Sequence, residues 1–205
     1  MHFGRCIPVL IALVCLTASA QDGRLGKKEN PIKQLKEFEA KQIHLPGPEH
    51  GELKWFAGSW KMSGSYFHTP GQPPVTFSGT AKAKRVLGGR FLSTESESKM
   101  GEDVVQTMGF MGYDRRSKEF TNHGCDTLST YCVNAAGGYT DSSKKVIKMY
   151  GEDEDKFLNI TQKYFFIYTI TGKNSYTFEV IFVDHPGFGD KGEHKVLEIT
   201  YTRAR

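Results

Sequence analysis

The best-supported chemistry in this sequence is a disulfide between Cys125 and Cys132. Six residues separate these two cysteines, a spacing that suits opposite arms of one β-hairpin. The chain has four cysteines, but Cys6 and Cys15 lie in a predicted signal peptide (below), and the two cysteines left after its removal usually pair in an oxidising compartment. A metal site would need more soft ligands nearby, and only His123 is close. The spacing therefore predicts a disulfide.

Nucleophilic catalysis requires a serine held on a sharp turn between a strand and a helix. No Gly-x-Ser-x-Gly motif occurs, and Ser59 and Ser65 lie in a segment that alternates like a strand. The acidic run from Glu152 to Asp155 is interpreted as a solvated hairpin loop rather than as acid–base machinery. We therefore predict no catalytic residues, and the sequence favours a protein that is not an enzyme.

The histidines allow two further hypotheses. Asp184, His185 and Asp190 surround a Gly-rich turn that could hold an ion, but an ordinary polar loop explains the same composition, so we predict no metal and no cofactor. Haem binding in a barrel would need a histidine that points inward from a strand. The candidates for that alternative all lie near strand ends: His68, His123 and His194.

The first twenty residues resemble a signal peptide. Arg5 precedes an apolar stretch from Ile7 to Leu16, and Ala18-Ser19-Ala20 gives a small-x-small cleavage pattern. The apolar stretch is too short to cross about 30 Å of hydrocarbon as a helix. We predict cleavage after residue 20, export to the periplasm or the medium, and no membrane association afterwards.

Residues 21–47 are predicted to form an N-terminal extension with one helix. Asn30 and Pro31 are typical of a helix start, and Ile32 and Leu35 follow at helical spacing. The basic residues in this region alternate with glutamates. Because the whole chain has only 27 Lys and Arg against 23 Asp and Glu, no nucleic-acid partner is expected.

From Gly58 onward the apolar pattern changes to a period of two. Aromatic residues make up 12% of the chain and there are 22 glycines, which favours strands joined by turns. Nine or ten strands are predicted, and no helix-length segment separates them. An antiparallel meander of this length hides its edges by closing into a barrel. Residues 48–205 are therefore predicted to be a β-barrel domain, with a two-sheet sandwich as the alternative.

Several segments, in order along the chain, resemble the domain-of-unknown-function 1579 family. These segments are Pro48-Glu49-His50, Phe56 to Trp60, Val86 to Leu92, Gly109 to Asp114 and Leu197 to Arg203. The resemblance implies an exported, lipocalin-like or calycin-like barrel, mostly found in bacteria. It implies no reaction and no catalytic residues. The helical extension and the Cys125–Cys132 segment depart from the family pattern.

A barrel of this size can enclose one small molecule. A possible small apolar ligand is therefore the expected partner, although the same rings could simply fill the interior of a structural or interaction protein. An interior void above about 300 Å³ favours the first hypothesis, and a filled barrel favours the second. The residues expected to line such a void are Met62, Tyr66, Phe77, Phe91, Met108, Phe110, Phe165, Phe178, Ile181 and Tyr201.

Overall fold

The computed structural model describes residues 30–68, 71–189 and 191–205. The chain divides into two compact units, Met1–Gln42 and Ile43–Arg205. The predicted signal peptide lies outside the described residues. None of the helices in the described ranges has the length and apolar character needed to cross a bilayer.

Helix α1, Pro31–Ala40, begins as its sequence predicts. The Asn30 side chain accepts a hydrogen bond of 2.9 Å from the backbone N–H of Ile32, and Pro31 occupies the first turn. Glu37 forms ion pairs one turn away on either side, with Lys33 at 4.0 Å and Lys41 at 3.8 Å. A short helix near the N-terminus is thus confirmed.

The second unit is a closed antiparallel barrel in which consecutive strands pair and the last strand pairs with the first. This confirms the predicted barrel and excludes the two-sheet sandwich, whereas its kinship with lipocalins stays a prediction. The ten strands are β1 Gly58–Tyr66, β2 Val75–Val86, β3 Phe91–Met100, β4 Asp103–Asp114, β5 Glu119–Asp126, β6 Cys132–Tyr139, β7 Val146–Asp155, β8 Ile160–Gly172, β9 Ser175–Val183 and β10 Glu193–Arg203.

One end of the barrel is closed by the residues that precede β1. A short helix, α2 Pro48–Glu52, continues into a 3₁₀ turn at Leu53–Trp55. Leu53 is fully buried, and the indole N–H of Trp60 donates a 2.9 Å hydrogen bond to the carbonyl oxygen of Phe56. Trp60 is 1% exposed, so its ring is part of the core at the closed end. Side chains fill the interior of small barrels in this way, and here the large indole ring closes the end.

The corner between β2 and β3 lies at this same closed end. Leu87, Gly88 and Gly89 all have positive φ, at 51°, 66° and 82°. Glycine adopts this left-handed conformation without strain, which is why two consecutive glycines occur at the turn. The corner directs β3 back along β2, and the two strands pair from Val86–Phe91 to Phe77–Met100.

Candidate functional site

The barrel encloses a cavity of about 890 Å³. Phe56 and Met62 lie towards its closed end, and residues that follow β5, β7 and β9 surround the open end. We call this open end the mouth. The cavity is the main feature of the interior that could accept a small molecule, because ligand sites of about 300 to 1,000 Å³ are typical of proteins.

Strands β8, β9 and β10 give the cavity an aromatic wall. Tyr176 and Tyr201 stack with centroids 4.4 Å apart and an interplanar angle of 3°. Tyr168 and Phe178 lie 4.7 Å apart, and Phe178 contacts Phe166 at 5.4 Å. These rings interlock across neighbouring strands, so they form a rigid surface against which an apolar molecule can pack.

Strands β3, β4 and β5 give the opposite side of the cavity small or polar side chains. These are Thr94, Ser96, Ser98, Thr107, Gly109 and Asn122. Asn122 is 7% exposed, and its amide donates a 2.7 Å hydrogen bond to the hydroxyl of Tyr168 on β8. None of them was among the lining residues predicted from the sequence. On β3 their signal is the regular alternation of Ser or Thr with Glu from Thr94 to Ser98.

Near the closed end, the cavity is lined by the hydroxyl-bearing rings of Tyr176 and Tyr201. Within the described part of the chain, neither hydroxyl has a hydrogen-bond partner. Burial raises the pKa of both tyrosines well above its ordinary value, since a phenolate would be poorly solvated there. Both side chains therefore stay neutral phenols that can donate a hydrogen bond to a guest.

The mouth carries most of the charge around the cavity. Asp153 and Asp155 share the inward alternation of β7 with buried Ile147 and Met149. The earlier interpretation of this acidic run as a hairpin loop is therefore wrong. Burial first, and then the carboxylates of Asp153, Asp155 and Asp126, raise the pKa of Tyr131.

Gln162 lines the cavity on β8, directly opposite Asp153 in the strand pairing. Its amide N–H donates a 2.7 Å hydrogen bond to the carbonyl oxygen of Lys163. Its Oε1 atom is buried and has no partner among the described residues. An unpaired buried acceptor costs about 1 to 3 kcal/mol of stability.

Half of the predicted lining residues face the cavity. Met62 and Phe77 lie on the first two strands, where Phe77 fills the space that a side chain at Gly64 would otherwise occupy. Tyr66 lies near the mouth, and Phe178 and Tyr201 belong to the aromatic wall. Whether these residues contact a ligand stays a prediction.

The other half lie outside the cavity, so their predicted orientation is corrected here. Successive side chains of a strand point to opposite faces, so an assignment that is wrong by one residue places every side chain on the wrong face. On β4 the inward positions are Val105, Thr107, Gly109 and Met111, and on β3, β8 and β9 they are the even-numbered residues. The outward residues are Phe91, Met108, Phe110, Phe165 and Ile181.

The predicted disulfide between Cys125 and Cys132 is present and connects the mouth ends of β5 and β6. Cys125 itself lines the cavity. None of the histidines considered for haem does so within the described residues. His68 stacks on Tyr66, His194 stacks on Phe188, and the ring of His123 interacts with Asn134.

Below the closed end, Arg203 connects the last strand to the residues that precede β1. Its guanidinium donates hydrogen bonds of 2.8 Å and 2.7 Å to the carbonyl oxygens of Ala57 and Trp55. It also lies over the Trp60 ring, with its Cζ atom 4.2 Å from the centroid. Arg203 does not line the cavity. We call Arg203 with Trp55, Ala57 and Trp60 the closing cluster.

Comparison with known proteins gives a family but no activity. No curated protein matches the sequence significantly. A redesigned β-barrel of known structure matches with a TM-score of 0.37 and 10% sequence identity, covering 74% of this chain and 94% of that chain. The family model described as "Protein of unknown function (DUF1579)" matches residues 45–203. Because that span covers well over half of the sequence, the chain belongs to the domain-of-unknown-function 1579 family.

Proposed function

We propose that this protein binds a small, mostly apolar molecule inside its barrel. The observation that carries the proposal is the cavity of about 890 Å³, which exceeds the void of about 300 Å³ that distinguishes a ligand site from a filled interior. Its aromatic wall would pack against the molecule, and its few polar groups would orient it. Burial of apolar surface supplies the affinity, at about 25 cal/mol per Å² removed from water.

The two alternatives have less support. A structural or interaction protein is expected to have a packed barrel, and a cavity of this size argues against that. Haem binding is expected to use an inward histidine, yet His68, His123 and His194 lie away from the cavity lining. His185 does line the mouth, but its Nδ1 accepts a hydrogen bond from the backbone N–H of Gly187.

A blocked cavity tests the proposal. Ser96 points into the cavity, whereas its neighbour Glu95 is exposed on the outer face of the same strand. We expect Nile red, a neutral apolar dye, to bind the wild-type protein saturably with a rise in fluorescence. Ser96→Trp should weaken this binding at least about tenfold, because the indole occupies the space that the dye needs.

Glu95→Trp is the matched control, since it adds the same ring outside the barrel. It should leave the dissociation constant of Nile red unchanged. Circular dichroism should show that both variants keep the strand content of the wild type. The proposal is wrong if the wild type shows no saturable binding, or if the two substitutions affect Nile red equally.

We further propose that the protein acts outside the cytoplasm. The predicted signal peptide supports this, as does the Cys125–Cys132 disulfide, because such bonds persist mainly in oxidising compartments. The intact mass of the protein purified from its own host tests the idea. Loss of the first 20 residues is expected, and a full-length chain with reduced cysteines would contradict export. The same native spectrum would reveal any small molecule that stays bound.

A further inference from the structure

The charged and the uncharged polar side chains of the cavity lie at different depths. Among the described lining residues, those with ionised side chains all belong to the mouth: Asp126, Asp153, Glu154, Asp155 and Lys156. The deeper polar side chains are hydroxyls and amides. Among the described residues, therefore, no cation faces the deep part of the cavity. A carboxylate or a phosphate would need one there, because burying an unpaired charge is costly.

Arg203, at the closed end, does not serve that purpose. Arg203 lies below the closed end, where two backbone carbonyl oxygens and the Trp60 ring already engage its guanidinium. The mouth adds a second barrier to anions. Its four carboxylates and one ammonium sum to a formal charge of −3, so an approaching anion is repelled before it enters.

The deep end nevertheless offers hydrogen bonds that the protein leaves unused. Tyr201 is 8% exposed, lines the cavity and has no hydrogen-bond partner among the described residues. Tyr176, stacked on it, is in the same situation. Asn122 and Tyr168 already bond to each other at 2.7 Å. A neutral oxygen that enters the deep end would therefore meet a free phenol.

We propose that the cavity selects an uncharged amphiphile, whose hydroxyl or carbonyl group lies deep beside Tyr201, over an anionic one with the same chain. This inference rests on the proposed function and specifies the chemistry of its ligand. Fatty alcohols and ketones belong to the accepted class, and ionised fatty acids to the rejected one.

Displacement of Nile red by three ligands with the same chain tests the inference: dodecan-1-ol, dodecanoate and dodecylammonium, at a pH of about 7.5. Dodecan-1-ol should bind at least about tenfold more tightly than dodecanoate. Dodecylammonium should keep its charge at the acidic mouth. The double variant Tyr176→Phe/Tyr201→Phe should then weaken dodecan-1-ol at least about tenfold, since it removes both free phenols of the deep end, and should leave dodecylammonium unaffected.

Tyr150→Phe is the control, because Tyr150 lies on the outer face and donates its hydroxyl hydrogen to Glu152. It should change none of the three constants. Dodecanoate that binds as tightly as dodecan-1-ol, or a Tyr176→Phe/Tyr201→Phe variant with an unchanged constant for dodecan-1-ol, would overturn the inference. In either case Nile red would still bind, so the cavity would remain a ligand site. Failure of Nile red to bind the wild type would refute both proposals.

Discussion

The closing cluster should contribute a large share of the stability of the barrel, and Arg203→Met tests this. Methionine keeps most of the apolar stem but removes the guanidinium from the carbonyl oxygens of Trp55 and Ala57. Hydrogen bonds to a charged group contribute about 1.5 to 3 kcal/mol each, and a cation over an indole about 1 kcal/mol. Because Arg203 is half-buried, we take the low end of the hydrogen-bond values, and the two bonds alone then give an expected loss of at least about 3 kcal/mol.

Urea denaturation followed by tryptophan fluorescence measures this loss directly. The two tryptophans of the chain, Trp55 and Trp60, both belong to the closing cluster, so the signal reports on the site that is perturbed. Arg205→Met is the control, because it removes the same charge from an exposed position two residues away. If Arg203→Met and Arg205→Met differ by less than about 0.5 kcal/mol, the usual scatter of surface substitutions, the closing cluster does not hold the barrel shut.

Three further predictions concern stability. Replacing both Cys125 and Cys132 by serine should lower the free energy of unfolding by about 2.5 kcal/mol, the value that loop-closure entropy gives for so short a loop. An unchanged melting temperature in thermal denaturation would show that the disulfide does not stabilise the fold. Burial raises the pKa of Glu52, but hydrogen bonds from Lys144 and Tyr139 outweigh it and hold that pKa below its ordinary value. The stabilisation by Glu52 is therefore present above the ordinary pKa of a glutamate and is lost as the pH falls through the lowered one. The difference in unfolding free energy between wild type and Glu52→Gln should then shrink on acidification from about pH 6 to pH 3, and a constant difference would contradict the linkage. Gly137→Ala should lower the free energy of unfolding by about 1 to 3 kcal/mol, because the added Cβ would collide with the carbonyl oxygen of Lys148. Gly138→Ala on the same strand is the control, because its Cβ would meet nothing within 4 Å. Equal melting temperatures for the two variants would count against this packing argument.

The barrel could be predicted from sequence because its signals are local. Alternation defines a strand, turn residues separate strands, and the order of short connections leaves few topologies. The disulfide was predictable for the same reason, since Cys125 and Cys132 are paired across one hairpin. These inferences need only neighbouring residues, and the structure confirms them.

Which face of a strand points inward was harder to predict, and β4 shows why. Met108 and Phe110 are large and apolar, but so are Val105 and Met111 on the opposite face. Alternation then offers two solutions that differ by one residue, and only the closed barrel decides between them. Phe165 and Ile181 were misassigned for the same reason, because their strands carry apolar residues on both faces.

The cavity itself depends on the total volume of the inward side chains compared with the width of the barrel. Ten strands make an interior wider than eight do, and small barrels are those that side chains fill completely. On β8 and β9 most inward residues are large rings, whereas on β3 to β5 they include Ser96, Gly109 and Gly124. Rings on one side alone cannot reach across, so the missing volume opposite them becomes the cavity. A search for ligand sites in related sequences should therefore ask where the small inward residues are, because the aromatic residues by themselves do not distinguish a filled barrel from a hollow one.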